Sequence, residues 1–169
     1  MKRFGFVVGA LAAGTVFSAV IFAAHAKVDD QAAIRALEAR FVAAFNAKDV
    51  DGIMSCYVPD DSLVAFDVIP PRQYVGAKAY RKPWENFLNS VTAARVEMSE
   101  LRVTTEWSVG FGYNIQHVIA TDRDGKAVDF TLRTTDGYRK LKGQWLIAHE
   151  HFSVPVDLAS GRADLASQP

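Results

Sequence analysis

The spacing of apolar residues changes near residue 94 and divides the chain into a helical part and a strand part. Before this point apolar residues recur every three or four positions, which is typical of amphipathic helices. The spacing predicts helices over residues 29–47, 50–57 and 77–89, with Asp49 as the N-cap of the second. Two short strands are expected between the second and third helices, over residues 62–67 and 73–75.

After residue 94 apolar and polar residues alternate, which indicates β-strands. Four long strands are predicted over residues 95–106, 108–121, 126–139 and 144–154. Asp124-Gly125 and Lys142-Gly143 are typical hairpin turns, so the four strands form an antiparallel meander. Helices followed by a meander indicate an α+β fold, in which three N-terminal helices cover one face of a curved, cone-shaped sheet.

Two-residue turns fix a register for the meander. The expected opposite pairs are Leu141–Gln144, Thr135–Glu150, Arg133–Phe152, Gln116–Arg133 and Val118–Thr131. Arg133 and Glu150 then share a face as diagonal neighbours, close enough to form an ion pair. A one-residue bulge in either hairpin would exchange these assignments.

In this register one face of the meander is polar and the other is apolar. The polar face collects Gly110, Gly112, Asn114, Gln116, Asp129, Thr131, Arg133, Thr135, Glu150 and Phe152. Small and polar groups under a helical cover predict a cavity for a small-molecule ligand. The apolar face collects Val109, Phe111, Tyr113, Ile115, Phe130, Leu132, Trp145, Ile147 and the three histidines His117, His149 and His151. A second copy of the sheet would cover it, so a homodimer through this face is expected.

The first 26 residues have the features of an export signal. Lys2 and Arg3 precede an apolar run, and Ala24-His25-Ala26 matches a signal-peptidase site. Cleavage after Ala26 predicts a periplasmic or secreted protein with no membrane attachment. The run is also long enough to span a bilayer, so an uncleaved anchor is the alternative. The expected division is a signal peptide over 1–26, one domain over 27–156 and a flexible tail over 157–169.

The remaining composition excludes several classes of function. Without Lys2 and Arg3 the chain has 17 basic and 19 acidic residues, with no basic stripe for nucleic acid. Cys56 is the single cysteine, so no internal disulfide forms, and we expect it to be a small buried apolar group. Because no CxxC motif or glycine-rich phosphate loop occurs, no redox, haem or nucleotide cofactor is expected.

The order of elements, together with several local patterns, resembles a known family. The patterns are Phe41, residues 49–57, Asp60-Asp61, Tyr74-Val75-Gly76, Arg133-Thr134-Thr135 and Gly143-x-Trp145-x-Ile147-x-His149-x-His151. They resemble the SnoaL-like and ketosteroid-isomerase-like group of the nuclear transport factor two-like fold. The same fold serves isomerases, dehydratases, cyclases and pure binders, so the resemblance implies the fold more strongly than an activity.

The resemblance implies a general base at Asp67, which falls at or beside the aspartate that abstracts a proton in steroid isomerases. A tyrosine and a protonated acid form the oxyanion hole in those enzymes. The tyrosine position carries Phe41 here and the acid position is assigned to Thr135, so steroid isomerase activity itself is not expected. A turn-capping aspartate is the alternative for Asp67.

Two functions follow from these residues. The first is a cofactor-independent isomerase, dehydratase or cyclase that uses Asp67 as base. Its predicted pocket residues are Tyr57, Trp84, Gln116, Arg133, Glu150 and Phe152. The second is a non-catalytic module that holds a small anion on Arg133 or serves only for dimerisation. The expected register places the three histidines away from the cavity and gives them no carboxylate ligand, so no metal is expected.

Overall fold

The computed structural model describes the backbone of residues 13–167 and the side chains of residues 30–167. The first helix, α1, spans Ala13–Asn46, so it begins earlier than the predicted start at residue 29. Of the predicted export signal, residues 1–12 lie outside the described part, and only the backbone of residues 13–26 is placed. In the described part of the chain, no helix combines the length and the apolar character needed to cross a membrane.

Two further helices pack with α1 on the sheet. The short helix α2 spans Val50–Met54, and Asp49 caps it by accepting a hydrogen bond from the backbone N–H of Gly52 at 2.9 Å, as predicted. Helix α3 spans Ala77–Ser90 and contains Pro83 without ending there. The inward stripe of α1, Ile34, Leu37, Phe41 and Phe45, is buried as its spacing predicts. Cys56 is buried within the same core.

Six strands form one curved, open sheet. They are β1 (Val64–Phe66), β2 (Tyr74–Val75), β3 (Val91–Glu106), β4 (Val109–Asp122), β5 (Ala127–Leu141) and β6 (Gln144–Ser153). The order across the sheet is β2-β1-β6-β5-β4-β3, and every neighbouring pair is antiparallel except β1 and β6. The long strands form the predicted meander, and helices lie on one face. The α+β prediction is therefore confirmed.

The predicted register is wrong between β4 and β5. The connection is a three-residue loop, 123–125, in which the Asp122 N–H donates to the Lys126 carbonyl at 3.0 Å and Gly125 adopts a positive φ of 82°. Such loops end in a left-handed residue, which glycine adopts at little cost. The pairs are Gln116–Leu132 and Val118–Phe130, one residue away from the prediction, so β5 is turned over relative to β4.

Between β5 and β6 the predicted register holds from Leu141–Gln144 to Tyr138–Ile147 and then fails. One extra residue in β6 follows Ile147, and Gly137 pairs with His149. Beyond this bulge Asp136 lies opposite Glu150, and Thr135 and Arg133 lie opposite His151 and Ser153 rather than Glu150 and Phe152. A bulge lets residues an odd number of positions apart face the same side. Ile147 and Glu150 are thus both buried under the helices.

The two changes exchange the faces of β5. Leu132, Thr134, Asp136 and Tyr138 are buried under the helices, and Arg133 and Thr135 are exposed on the outer face. The outer face also carries the three histidines. His149 Nδ1 lies 2.8 Å from the Val64 carbonyl oxygen, and His117 Nε2 lies 2.8 Å from Asp129 Oδ1. Among residues 30–167 no group of His, Cys, Asp and Glu side chains is arranged to hold a metal ion.

Candidate functional site

A cavity of about 390 Å³ lies between α3 and the helix-facing side of the sheet. Its walls are mostly aromatic and aliphatic. The apolar lining residues are Phe45, Val68, Ile69, Pro83, Trp84, Phe87, Val118, Phe130, Leu132, Phe152, Val154, Ala163 and Leu165. Burial of apolar ligand surface against such walls is favourable, at about 25 cal/mol for each Å² removed from water. The cavity therefore suits a small, largely apolar molecule.

The C-terminal segment forms part of the cavity wall through Ala163 and Leu165. The Leu165 carbonyl accepts a hydrogen bond from the Thr131 N–H at 2.9 Å, and Ala163 forms a β-bridge with Val156. Strand β6 begins to pair with β5 only at Arg133, so the first residues of β5 have an edge that β6 does not cover. The segment occupies that edge and narrows the cavity from the sheet side.

Asp67, Tyr80 and Gln116 bring polar atoms to the otherwise apolar wall. Asp67 immediately follows β1, Tyr80 lies on α3, and Gln116 lies on the helix-facing side of β4. No hydrogen bond joins the Gln116 amide to another side chain within residues 30–167, and the Trp84 indole N–H also lacks a partner there. The cavity thus offers the Gln116 amide as an unused donor beside the Asp67 carboxylate, whereas the Trp84 Nε1 atom is buried in the wall and is not exposed to the cavity.

Asp67 is half-buried, and this burial raises the pKa of its carboxyl above the usual value of 3.8. Its Oδ1 accepts a hydrogen bond from the Val68 N–H at 2.6 Å, and the backbone N–H groups of Val68 and Ile69 partly offset the rise in pKa. Within residues 30–167 no cation forms an ion pair with Asp67. A carboxyl group in an apolar wall with no cation beside it is a weaker acid than a carboxyl group in water. Its carboxylate is therefore the stronger base.

Glu150 lies immediately behind this wall and is fully buried. The Tyr57 hydroxyl lies 2.9 Å from each of the two Glu150 carboxylate oxygens, and the Tyr80 hydroxyl donates to Oε2. Burial raises the pKa of Glu150 to about 8, although the two tyrosine hydrogen bonds act in the opposite direction. Tyr57 and Glu150 therefore do not line the cavity but support Tyr80, which does.

Two more acids are buried next to Glu150. The Tyr138 hydroxyl donates to Glu38 Oε1 at 2.7 Å, and burial raises the pKa of Glu38 to about 7. Neither carboxylate oxygen of Asp136 has a hydrogen-bond partner by distance and angle among the described residues. Burial, followed by the charges of Glu38 and Glu150, raises the pKa of Asp136 well above its usual value. These three side chains are called the acid cluster below.

The structure brings together some of the predicted pocket residues and separates others. Asp67, Trp84, Gln116 and Phe152 line the cavity. Arg133 does not, because the one-residue shift of β5 turns it to the outer face, where it lies in a shallow hollow beside Thr135. The expected Arg133–Glu150 ion pair is absent from the described residues, since the hydrogen bonds of Glu150 go to Tyr57 and Tyr80.

Sequence reasoning missed Tyr80 and two members of the acid cluster, Glu38 and Asp136. The periodicity of α3 places Tyr80 among its apolar residues, because a tyrosine at helical spacing is indistinguishable from a core aromatic residue. Thr135 was assigned to the family's acid position, whereas Thr135 is exposed and its neighbour Asp136 is buried. A three-residue loop between Asp122 and Lys126 shifts the register of β5 by one residue, and assuming such a loop would have placed Asp136 on the buried face.

The acid cluster predicts that the protein loses stability as pH rises. A carboxyl whose pKa is higher in the folded state stabilises the fold fully below the unfolded pKa of about 4.5 and loses that contribution as pH rises through the folded pKa. We expect the free energy of unfolding to fall between about pH 5 and pH 8, by roughly 1 kcal/mol per pH unit for each proton retained. Urea unfolding at several pH values measures this slope.

Glu150→Gln keeps the shape of the side chain and removes one titrating group, so we expect a shallower slope over the same range. Glu97→Gln, at an exposed position on β3, is the matched control and should leave the slope unchanged. If the free energy of unfolding depended on pH equally in the wild type and in Glu150→Gln, the assignment of a raised pKa to Glu150 would be contradicted.

The comparisons with known proteins agree with this architecture. The family model described as a SnoaL-like domain matches residues 34–157. A similar solved structure is an NTF2-like protein of unknown function from Pseudomonas putida KT2440, with 29% identity, a TM-score of 0.75, and coverage of 84% of this chain and 98% of that one. No curated protein sequence matches the chain.

Two more distant structures share the fold. One, provisionally named a scytalone dehydratase, comes from Novosphingobium aromaticivorans DSM 12444, with 13% identity, a TM-score of 0.69, and coverage of 76% of this chain and 86% of that one. An NTF2-like superfamily protein from Salmonella enterica has 15% identity, a TM-score of 0.67, and coverage of 74% of this chain and 90% of that one. The family model spans most of the chain, from the inward stripe of α1 to the end of the sheet. This chain belongs to the SnoaL-like domain family of NTF2-like proteins.

Proposed function

We propose that the cavity binds a small, uncharged, largely apolar molecule and that Asp67 acts on it as a general base without a cofactor. The observation that carries this proposal is the half-buried Asp67 carboxyl in an apolar wall, with a raised pKa and no cation beside it. Carboxyl groups in this environment are common at catalytic positions. The reaction would be an isomerisation or an elimination that begins with removal of a proton next to a carbonyl.

The charges around the cavity support an uncharged substrate. Asp67 lines the cavity and the acid cluster lies behind it, whereas no Lys, Arg or His from residues 30–167 belongs to the lining. An anionic ligand would be repelled, and burial of an unpaired charge costs free energy. Since Arg133 lies on the outer face, binding of an anion on Arg133 inside the cavity is not part of the proposal.

The Gln116 amide supplies a donor that an enzyme of this type needs. When a proton leaves the carbon next to a carbonyl, negative charge develops on the carbonyl oxygen. Gln116 borders the cavity, and its amide has no hydrogen-bond partner among residues 30–167, so it is available to that oxygen. The Novosphingobium aromaticivorans structure that shares this fold is provisionally named a scytalone dehydratase, and elimination of water begins with the same proton abstraction.

Non-catalytic binding is the second candidate. It is supported by the hydrogen bond from the Val68 N–H to Asp67 Oδ1, because aspartate side chains commonly make this bond for purely structural reasons in turns. In that case the same ligand would bind in the apolar cavity, and Asp67 would only shape the turn after β1.

Hydrogen–deuterium exchange of β-tetralone in deuterium oxide distinguishes the two candidates. This bicyclic ketone is apolar and uncharged, and NMR follows the loss of the protons next to its carbonyl. We expect the wild type to accelerate exchange and Asp67→Asn to lower the catalysed rate by about 100-fold, as loss of a general base does. Activity should fall as pH decreases through the Asp67 pKa, above the usual value of 3.8, because the base is then protonated.

Asp129→Asn is the matched control, since Asp129 is an exposed acid on the outer face and should not affect exchange. Binding of β-tetralone without exchange would reject the enzyme and leave the binding module. Absence of both binding and exchange would count against any role of the cavity for this ligand class.

We also propose that the protein is a homodimer through the outer face of the sheet. Val109, Phe111 and Tyr113 are between 51% and 54% exposed there at alternate positions of β4, and Ile119 is 39% exposed further along the strand, beyond His117. Exposed large apolar side chains that lie close together are typical of protein interfaces. We expect Phe111→Asp to convert a dimer to a monomer in analytical ultracentrifugation. Leu158→Asp introduces the same charge at an exposed leucine outside this face and should leave the dimer intact. A wild-type monomer at all concentrations would refute this.

Export with cleavage after Ala26 is a further part of the proposal. The mature chain would begin at Lys27 and keep Asp30, which accepts a hydrogen bond from Trp145 Nε1 at 2.9 Å, and all of the buried stripe from Ile34 onward. We expect the full chain, expressed in bacteria, to appear in the periplasmic fraction with a mass that begins at Lys27. Recovery of the uncut chain from the membrane fraction would support the anchor instead.

A further inference from the structure

Tyr80 connects Glu150 with the cavity. Its side chain lies in the cavity wall and is almost completely buried, and its hydroxyl donates to Glu150 Oε2. Within residues 30–167 the Tyr80 hydroxyl has no other hydrogen-bond partner. A phenol has one proton and can donate it to only one main partner. The direction of the Tyr80–Glu150 hydrogen bond therefore determines what a ligand in the cavity meets.

Glu150 is surrounded by hydroxyls and carboxyls rather than by cations. Tyr57 faces it from the segment after α2, Tyr80 from α3, Glu38 from α1, Asp136 from β5 and Asp67 from the turn after β1. Among residues 30–167 no Lys, Arg or His forms an ion pair with Glu150. Burial without a cation favours the neutral acid, and the pKa of Glu150 is raised to about 8.

The two charge states of Glu150 give Tyr80 different roles. An ionised Glu150 only accepts, so Tyr57 and Tyr80 both donate to it and the Tyr80 proton is withdrawn from the cavity. A protonated Glu150 has an O–H that must donate, and a tyrosine oxygen is its nearest acceptor. If the Tyr80 oxygen accepts that proton, the Tyr80 O–H is released and can bind an acceptor atom of a ligand.

We propose that Tyr80 selects ligands that carry an uncharged oxygen acceptor such as a carbonyl, and that Glu150 acts as its positioning residue by holding a proton. The inference rests on the proposed function, because it assumes that the cavity binds a small apolar molecule. The inference adds that the ligand must carry an oxygen acceptor for the Tyr80 hydroxyl. It also makes recognition of this acceptor dependent on pH.

A pair of ligands of nearly the same shape tests this. α-Tetralone and tetralin differ by one carbonyl oxygen, and isothermal titration calorimetry gives a dissociation constant for each. The measurements are made at about pH 6 and about pH 10, on either side of the Glu150 pKa of about 8. We expect the preference for α-tetralone to be about three- to tenfold greater at the lower pH than at the higher pH, which is the range of one net hydrogen bond.

Variants assign the effect to the two residues. Tyr80→Phe should lower the preference to the same small value at both pH values while tetralin still binds, because the Gln116 amide does not titrate. Tyr57→Phe also removes a tyrosine hydroxyl that is hydrogen-bonded to Glu150, but Tyr57 is outside the cavity lining. This variant should therefore still prefer α-tetralone at the lower pH. In Glu150→Gln the side-chain amide donates an N–H to the Tyr80 oxygen at any pH. This variant should therefore prefer α-tetralone at both pH values.

The outcomes separate the inference from the proposed function. Equal preference for α-tetralone at both pH values in the wild type, or a pH-dependent preference that persists in Tyr80→Phe, would overturn the inference while leaving the cavity as a binding site. Loss of the preference in Tyr57→Phe at the lower pH would also overturn it. Failure of both ligands to bind the wild type would instead reject the proposed function. Circular dichroism at each pH confirms that the protein remains folded.

Discussion

The burial of Glu150 between two tyrosines is the interaction on which the site depends. It joins β6 to α3 through Tyr80 and to the segment after α2 through Tyr57. A buried carboxyl costs free energy unless its oxygens are hydrogen-bonded, so both hydroxyls and the elements that carry them are held in place. The same contact separates the acid cluster from the apolar cavity, with Tyr80 as the group in between.

The absence of a cation beside this contact shapes the chemistry of the site. Glu38, Asp136 and Glu150 are buried close together, and their pKa values are all raised by burial. A lysine or arginine at this place would have kept them ionised. Without one within the described residues, burial favours the protonated form of each acid, and this is the basis for proposing an uncharged ligand in the cavity and a base at Asp67.

The secondary structure could be predicted from the sequence because it depends on local spacing. The inward stripe of α1, the cap at Asp49 and the four long strands all occur as the periodicity indicates. Which residues meet could not be predicted in the same way. A three-residue loop at 123–125 and one extra residue after Ile147 shifted the register, and each shift of one residue moves a side chain to the opposite face of the sheet.

The sequence by itself determined the α+β architecture, which follows from periodicity and from the order of elements, and the family resemblance, which implied a place for Asp67 at the cavity. Only the tertiary structure placed Arg133 outside the cavity, paired Glu150 with Tyr57 and Tyr80, and buried Asp136. The physical reason is that strand pairing is decided by packing across the sheet. A bulge costs little locally but decides which polar groups are buried.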